Sequence, residues 1–376
     1  MEKSKPLLTL LFAGTIAFAC AGGTKGQSEA DRARQLLLKT LQRNFSQNVI
    51  AIITQRSPEN HGTYQRIQVQ ISKEGKMRQT VVAPLSVQGV ETIDDGNQIA
   101  TYLPDEKFMF VQESPRLLPD DTMSRVNLAI RNYGLKIGGT SIIAGKSASI
   151  LVATPRAKDM EVRRYHIDER TGFLLQLETV DSSGTPKVAF KAEQVTYPSR
   201  ISASTFVIDL ASRTGTKIVF RRRFPVDATV KGTPEIGFEP VMLEGLPNGF
   251  EIQDAQINDS GSYRSVAIRI TDGLVKGTVY QYSLATAKKM KAMPGTTIGD
   301  GSGLRFVVAA DVPESVRKRI LNAFLDAAKK SDSDLPMVGL LGPVELSQIC
   351  PAFTRTEALA LEIWQSTNNS LIPLHE

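Results

Sequence analysis

Cysteine, histidine and aromatic residues are scarce in this chain, and each scarcity removes a class of explanation. Only two cysteines, Cys20 and Cys350, occur in 376 residues. If the leader around Cys20 is removed, or its thiol acylated, no intramolecular disulfide can form and apolar burial must supply the stability. The three histidines, His61, His166 and His375, stand far apart with no second ligand at helical or hairpin spacing, so no metal site is expected. Aromatics make up 6% of the chain, too few to interleave with a basic stripe in the manner of nucleic-acid binding. Past Cys20 no apolar run is long enough to span a bilayer as a helix.

Local motifs are equally sparse. Gly139 to Ser147 imitates a phosphate-binding loop, but five residues separate Gly139 from Gly145 where that motif has four, and its flanks read as strands. A β-turn accounts for it. In Gly299-Asp300-Gly301-Ser302-Gly303, Asp300 and Leu304 occupy the positions where a nucleophile elbow needs glycine, so Ser302 is a loop serine. Asp94-Asp95 and Asp120-Asp121 fall at turns and helix starts, where capping explains them. His166, between Tyr165 and Ile167 in a strand pattern, reads as a hydrogen-bonded structural histidine. No catalytic constellation and no cofactor site is expected, which points to a binding protein rather than an enzyme.

What the chain does carry begins with an export signal. Lys3 and Lys5 precede an apolar run from Pro6 to Cys20, too short for a membrane span and ending in small residues, so residues 1–21 read as a secretory signal peptide. Cleavage is expected near 19–27: Ala17-Phe18-Ala19 fits an A-x-A site, while Ala19-Cys20-Ala21 followed by Gly22-Gly23 fits acylation of Cys20 with a flexible tether. Loss of Lys3, Lys5 and Glu2 takes 45 basic and 39 acidic side chains to 43 and 38, a net of +5. That mild charge suits an anionic membrane surface or an acidic partner.

Periodicity then divides the remainder. Ser28 with Asp31 opens a helix whose Ala33, Leu37, Leu41 and Phe45 share a stripe, with Leu38 beside it. From Val49 the period changes to 2, and in Tyr64 to Ile71 the residues Ile67, Val69 and Ile71 share one face. Further strands are expected at 76–82, 88–93, 98–103, 107–112, 135–143, 146–154, 161–168, 173–180 and 187–196, separated by turn residues such as Asp95-Gly96-Asn97 and Thr171-Gly172. One helix interrupts them after Pro119, with Met123, Val126, Ile130 and Tyr133 on its buried face and Gly134 as its C′ residue. The expectation is an α+β fold: an antiparallel half-barrel of about ten strands over 25–207, curled because strand twist accumulates, with covering helices. A linker follows at 208–240 with one short strand near Lys217 to Phe220, then a smaller α+β domain at 241–330. Its helix starts after Asp311-Val312-Pro313, with Val316, Ile320, Phe324 and Ala327 on one side. The tail, 331–376, has no assigned role beyond a helix expected at 356–365.

Several segments together resemble the RseB/MucB family of periplasmic sigma-factor regulators. Ile143-Ala144-Gly145 leads a strand ending in Pro155-Arg156, and Asp168 precedes Thr171-Gly172-Phe173-Leu174-Leu175. Asp95 to Asp105 looks like a strand-turn signature shared with the lipoprotein carriers LolA and LolB, while Gly245-Leu246-Pro247-Asn248-Gly249-Phe250 and Thr271-Asp272-Gly273-Leu274 look like landmarks of the RseB C-terminal domain. The resemblance spans roughly residues 30 to 325, and departs from the family at the opening strand Val49-Ile50-Ala51-Ile52-Ile53. It implies a LolA-like half-barrel, binding of acyl chains, lipoprotein or glycolipid, and regulation of an anti-sigma factor through its periplasmic segment. Ile67, Val69, Ile71, Phe108, Phe110, Ile150 and Val152 are the candidates for an apolar cavity, and Arg221, Arg222 and Arg223 for contact with an acidic partner. A lipid or lipoprotein carrier, and a structural envelope lipoprotein without ligand, are the alternatives.

Intact-mass measurement of the envelope protein is expected to show loss of residues 1–19 or a few more, and a full-length mass would defeat the export reading. A gain consistent with acylation would place the anchor at Cys20.

Overall fold

A computed structural model describes residues 28–42, 46–56, 64–118, 121–226, 235–259, 264–287, 290 and 295–334. The leader with Cys20, the positions Phe45, His61, Pro119 and Asp120, and the tail with Cys350, His375 and the helix expected at 356–365 lie outside them.

Helix α1 (Glu29–Leu41) starts where the cap predicts: Ser28 Oγ accepts the Asp31 N–H at 3.1 Å and donates to the Asp31 carboxylate at 2.7 Å. Strands β1 (Val49–Arg56), β2 (Tyr64–Ile71), β3 (Met77–Ala83), β4 (Glu91–Asp94), β5 (Gln98–Leu103) and β6 (Phe108–Glu113) form a meander. Helix α2 (Thr122–Asn132) runs directly into β7 (Tyr133–Ile143), followed by β8 (Lys146–Pro155), β9 (Val162–Ile167), β10 (Leu174–Val180) and β11 (Pro186–Thr196). With β12 (Lys217–Phe220) these make a twelve-stranded sheet in the order β12-β6-β5-β4-β3-β2-β1-β11-β10-β9-β8-β7. Its pairs are antiparallel except β12 on β6, and its two ends never meet, so the sheet is an open half-barrel.

The fold class is therefore the expected α+β arrangement, with two strands more than about ten. One is β1, which contains the opening strand Val49 to Ile53 and pairs with both β2 and β11 in the middle of the sheet. The other, β12, belongs to the segment expected as linker and extends the half-barrel edge instead.

Strand β13 (Arg222–Pro225) starts a second sheet. It continues through β14 (Glu251–Asp259), β15 (Arg264–Thr271) and β16 (Lys276–Ser283), then the short helix α3 (Leu284–Ala287), β17 (Thr296–Gly301) and β18 (Leu304–Ala310), in the order β13-β14-β15-β16-β18-β17. Helix α4 (Glu314–Asp334) covers one face, burying Val316, Ile320, Leu321 and Phe324 in one cluster with Val266, Ile268, Val279 and Phe306. No strand is expected at β17, since Gly299 and Gly301 have poor strand propensity. Those glycines let Leu321 and Leu325 of α4 lie directly on the backbone: a Cβ at Gly299 would stand 3.0 Å from Leu321.

Helix α2 departs from its expected face. Met123 is 48% and Ile130 36% exposed, whereas Thr122, Arg125, Val126 and Ala129 are buried. Gly134 is no cap but the second residue of β7, because Tyr133 already has extended backbone.

The half-barrel core lies between α1, α2 and one sheet face. Leu36, Leu37 and Leu41 are buried there, each worth about 1.5–3 kcal/mol of burial. The turn of Asp168 to Gly172 fastens α1 to the sheet. Asp168 accepts the Arg170 N–H at 2.9 Å and the Tyr197 hydroxyl at 2.5 Å, while the Lys39 ammonium donates to the carbonyls of Glu169 and Arg170. Gly172 sits at φ +79° with its missing Cβ only 2.9 Å from the Lys39 carbonyl oxygen. Gly172→Ala therefore combines left-handed strain with a clash and is expected to cost about 2–4 kcal/mol in urea unfolding. Gly184→Ala, at φ +81° with nothing within 4 Å, is expected to cost about 1–2 kcal/mol; equal losses would remove α1 docking from the explanation.

Candidate functional site

Strand pairing decides which of the sequence candidates share a face. Ile67 lies opposite Ile53 and Val81, Val69 opposite Ala51 and Gln79, and Ile71 opposite Val49 and Met77. All three face α1, and Ile67 and Val69 are each only 1% exposed, in one buried cluster with Leu37 and Val126. Phe108 joins that cluster, and Phe110 packs half-buried against it.

Ile150 and Val152 do not join them. Their partners are His166 and Arg164, which continue to Gln176 and Glu178 across β10, so they belong to the opposite face. Leu151, between them, takes the core position opposite Tyr165. His166 is the hydrogen-bonded histidine expected, with Nδ1 2.8 Å from Ser141 Oγ. Burial lowers its pKa, against the attraction of Glu178.

The arginine run marks the crossing from one sheet to the other. Arg221 stands between β12 and β13: its N–H donates to the Val111 carbonyl at 2.8 Å and its guanidinium lies 4.1 Å from the Phe110 ring centroid. Arg222 is exposed, and Arg223 is half-buried opposite Asn258. The three side chains are thus divided between a stacking contact, solvent and the second sheet. Cys20 lies outside the described residues.

The most constructed polar site is a seam between the two sheets that the sequence did not disclose. Tyr133, the first residue of β7, donates its hydroxyl to Asp272 Oδ2 at 2.6 Å, and both are buried. Asn132 Nδ2 donates to the carbonyls of Asp272 at 2.9 Å and Gly249 at 2.8 Å. Asp272 Oδ1 accepts the N–H groups of Leu274 at 3.0 Å and Val275 at 2.8 Å, which shapes the β15–β16 turn. Within that turn Gly273, at φ +100°, lies on α2 so closely that a Cβ would stand 2.3 Å from Ala129 N.

A second cluster flanks the first. Arg163 of β9, buried, donates to the Asp311 carbonyl at 2.5 Å and its carboxylate at 3.1 Å. Arg319 of α4 reaches Asp159 at 2.7 Å and Asn248 at 3.1 Å, while Asn248 donates to the Lys158 carbonyl at 3.1 Å. Arg131 pairs with Glu251, and Gln253 donates to Asp121. Burial pushes the Asp272 carboxyl above its ordinary range, opposed by the hydrogen bond from Tyr133. Burial works against charge on Arg163, but Asp311, Tyr165, Tyr133 and Asp272 together outweigh it and hold the guanidinium pKa above its ordinary value.

Both C-terminal landmarks, 245–250 and 271–274, therefore belong to this seam. In the sequence they stand out only through their resemblance to the RseB C-terminal domain, and nothing there indicates Tyr133, Asn132 or Arg163 as their partners.

A family model described as the MucB/RseB N-terminal domain matches residues 32–207. No curated protein matches the chain. The fold is similar to a crystal structure of MucB, with 16% identity and a TM-score of 0.52, over 78% of this chain and 97% of that one. It is also similar to the complex structure of Pseudomonas aeruginosa MucA/MucB, with 17% identity and a TM-score of 0.51, over 77% and 96% of the respective chains. These coverages include both sheets. Residues 32–207 thus match the MucB/RseB N-terminal domain, and the fold over both sheets is similar to that of MucB.

Proposed function

We propose that this chain is an exported periplasmic regulator that binds the periplasmic segment of an anti-sigma factor, as a non-enzymatic binding protein. One observation carries the reading: the family match coincides with a two-sheet fold similar to that of MucB in the MucA/MucB complex. The seam supports it physically. Two domains fixed by Tyr133–Asp272 and Arg163–Asp311 present one composite surface, and a regulator that recognises a partner with both halves needs that arrangement set in advance. Arg222, exposed beside the crossing, would act on encounter rate and salt sensitivity.

Sensing of an acyl chain, lipoprotein or glycolipid is the finer part of the proposal. Ile67, Val69, Ile71 and Phe108 lie beneath α1 and α2, so a chain entering there has to displace α1, while Phe110 offers the half-buried entry point. Ile150 and Val152 take no part in that site. Anchoring through Cys20 would hold the protein at the membrane surface where both ligand and partner are found.

Co-purification from envelope extract should recover a single-pass membrane protein whose cytoplasmic part binds a sigma factor. Recovery of lipoproteins alone would replace this reading by the carrier. Tyr133→Phe is expected to lower stability by about 1–3 kcal/mol and to reduce partner recovery, since Asp272 loses a buried donor. Arg222→Ser should leave stability within about 0.5 kcal/mol and change only the salt dependence of binding. Fluorescent acyl titration tests the finer part: Val69→Asp and Phe110→Asp should weaken binding in folded protein, and undiminished binding by both would exclude the half-barrel face.

A further inference from the structure

The face of β3 to β6 turned away from α1 carries a second feature that neither the partner nor the acyl reading uses. After β11 the chain crosses this face before entering β12. Ile208 and Leu210 pack on the cluster of Ala100, Met109 and Val111, and Phe206 is buried. Between this segment and the strands lies a cavity of about 360 Å³. Ile93, Ala100 and Met109 form its apolar floor, and Val207, 57% exposed, stands at its lip.

One end of the cavity is charged and rigid. The Glu91 side chain is only 7% exposed. It accepts from Arg78 Nε at 2.8 Å and Arg78 Nη2, and from Arg213 Nη2 at 2.6 Å. The Arg213 guanidinium lies 4.2 Å from the Tyr102 ring centroid, which holds it against the wall. Burying one carboxylate requires one cation; here it has two, and both of its oxygens are already engaged. Each guanidinium has five N–H donors in a fixed fork, so donors on this wall outnumber the acceptors Glu91 supplies. Asp209, the other carboxylate of the lining, is engaged in a turn, accepting the Ser212 N–H at 3.1 Å.

We propose that this cavity binds a small organic acid, its carboxylate bridging Arg78 and Arg213 and its apolar tail lying on Ile93, Ala100 and Met109. Size sets the class. At about 30 Å³ per water-sized group, the cavity holds about a dozen non-hydrogen atoms, the size of decanoate, so the longer chain of a membrane lipid would project past Val207 into water. The prearranged guanidiniums recognise the acid without reorganisation, and the apolar floor distinguishes it from a bare anion.

Isothermal titration of the purified full chain with decanoate, decanol, palmitate and inorganic phosphate tests this. Saturable binding is expected for decanoate, with the other three at least about tenfold weaker. Val207→Glu brings a like charge to an exposed lip position and should weaken decanoate at least about tenfold without moving the thermal midpoint. Arg213→Gln, which retains a donor to Glu91, should weaken decanoate by the same factor in protein that still folds. The proposal is overturned if the native chain fails to bind decanoate, or if decanol, palmitate or phosphate equals it. Unchanged decanoate affinity in both folded variants also overturns it.

Discussion

The hydrogen bond from Tyr133 to the buried carboxylate of Asp272 joins the first residue of β7 to the turn between β15 and β16, and the arrangement of the two sheets depends on it. A buried acid is costly unless its oxygens are satisfied. Here Oδ2 takes a phenol from one sheet and Oδ1 two backbone N–H groups from the other, so the acid is fully served only while the sheets are together. The adjoining contact of Gly273 with Ala129 then brings turn and helix backbone to a separation that no other side chain allows. Polar satisfaction and close packing thus specify the same geometry, which gives the seam a single register.

That geometry is extended by charge at its margins. Arg163 is buried on the half-barrel side and answered by Asp311 at the start of α4, while Arg319 and Arg131 pair across more exposed ground. The exposed pairs contribute little in water, whereas loss of Asp311 would leave a buried guanidinium short of its partner. The covalent crossing at Arg221 completes the joint, since β12 ends in one sheet and β13 begins in the other with a single residue between them. The two faces of the half-barrel serve different ends: one is filled by α1 and α2, the other holds the arginine-walled cavity.

Much of this fold was legible in the chain. Alternation in Tyr64 to Ile71 gave a strand whose apolar positions are the buried ones, and Ser28 with Asp31 marked the start of α1, because both signals are local. The face of α2 was misread for a physical reason. Its helix is too short for Met123 and Ile130 to outweigh the demand of the seam, which buries Arg125 and Ala129 against a neighbouring turn. β17 escaped notice since its glycines are chosen to suit the leucines of α4 rather than the strand itself.

Sequence alone determined the order of elements, the α+β class, the turns and the family resemblance, since periodicity, capping and turn chemistry act between residues close in the chain. It could not determine sidedness. Ile150-Leu151-Val152 is apolar throughout, so alternation has no contrast to report, and only pairing with β9 shows that Leu151 faces the core. The seam, the division of the arginine run and the cavity between Glu91 and Arg213 were likewise settled by tertiary structure. Each joins residues far apart in the chain, 139 positions for Tyr133–Asp272 and 122 for Glu91–Arg213, where contact depends on sheet order and register, and no local pattern in the chain encodes either.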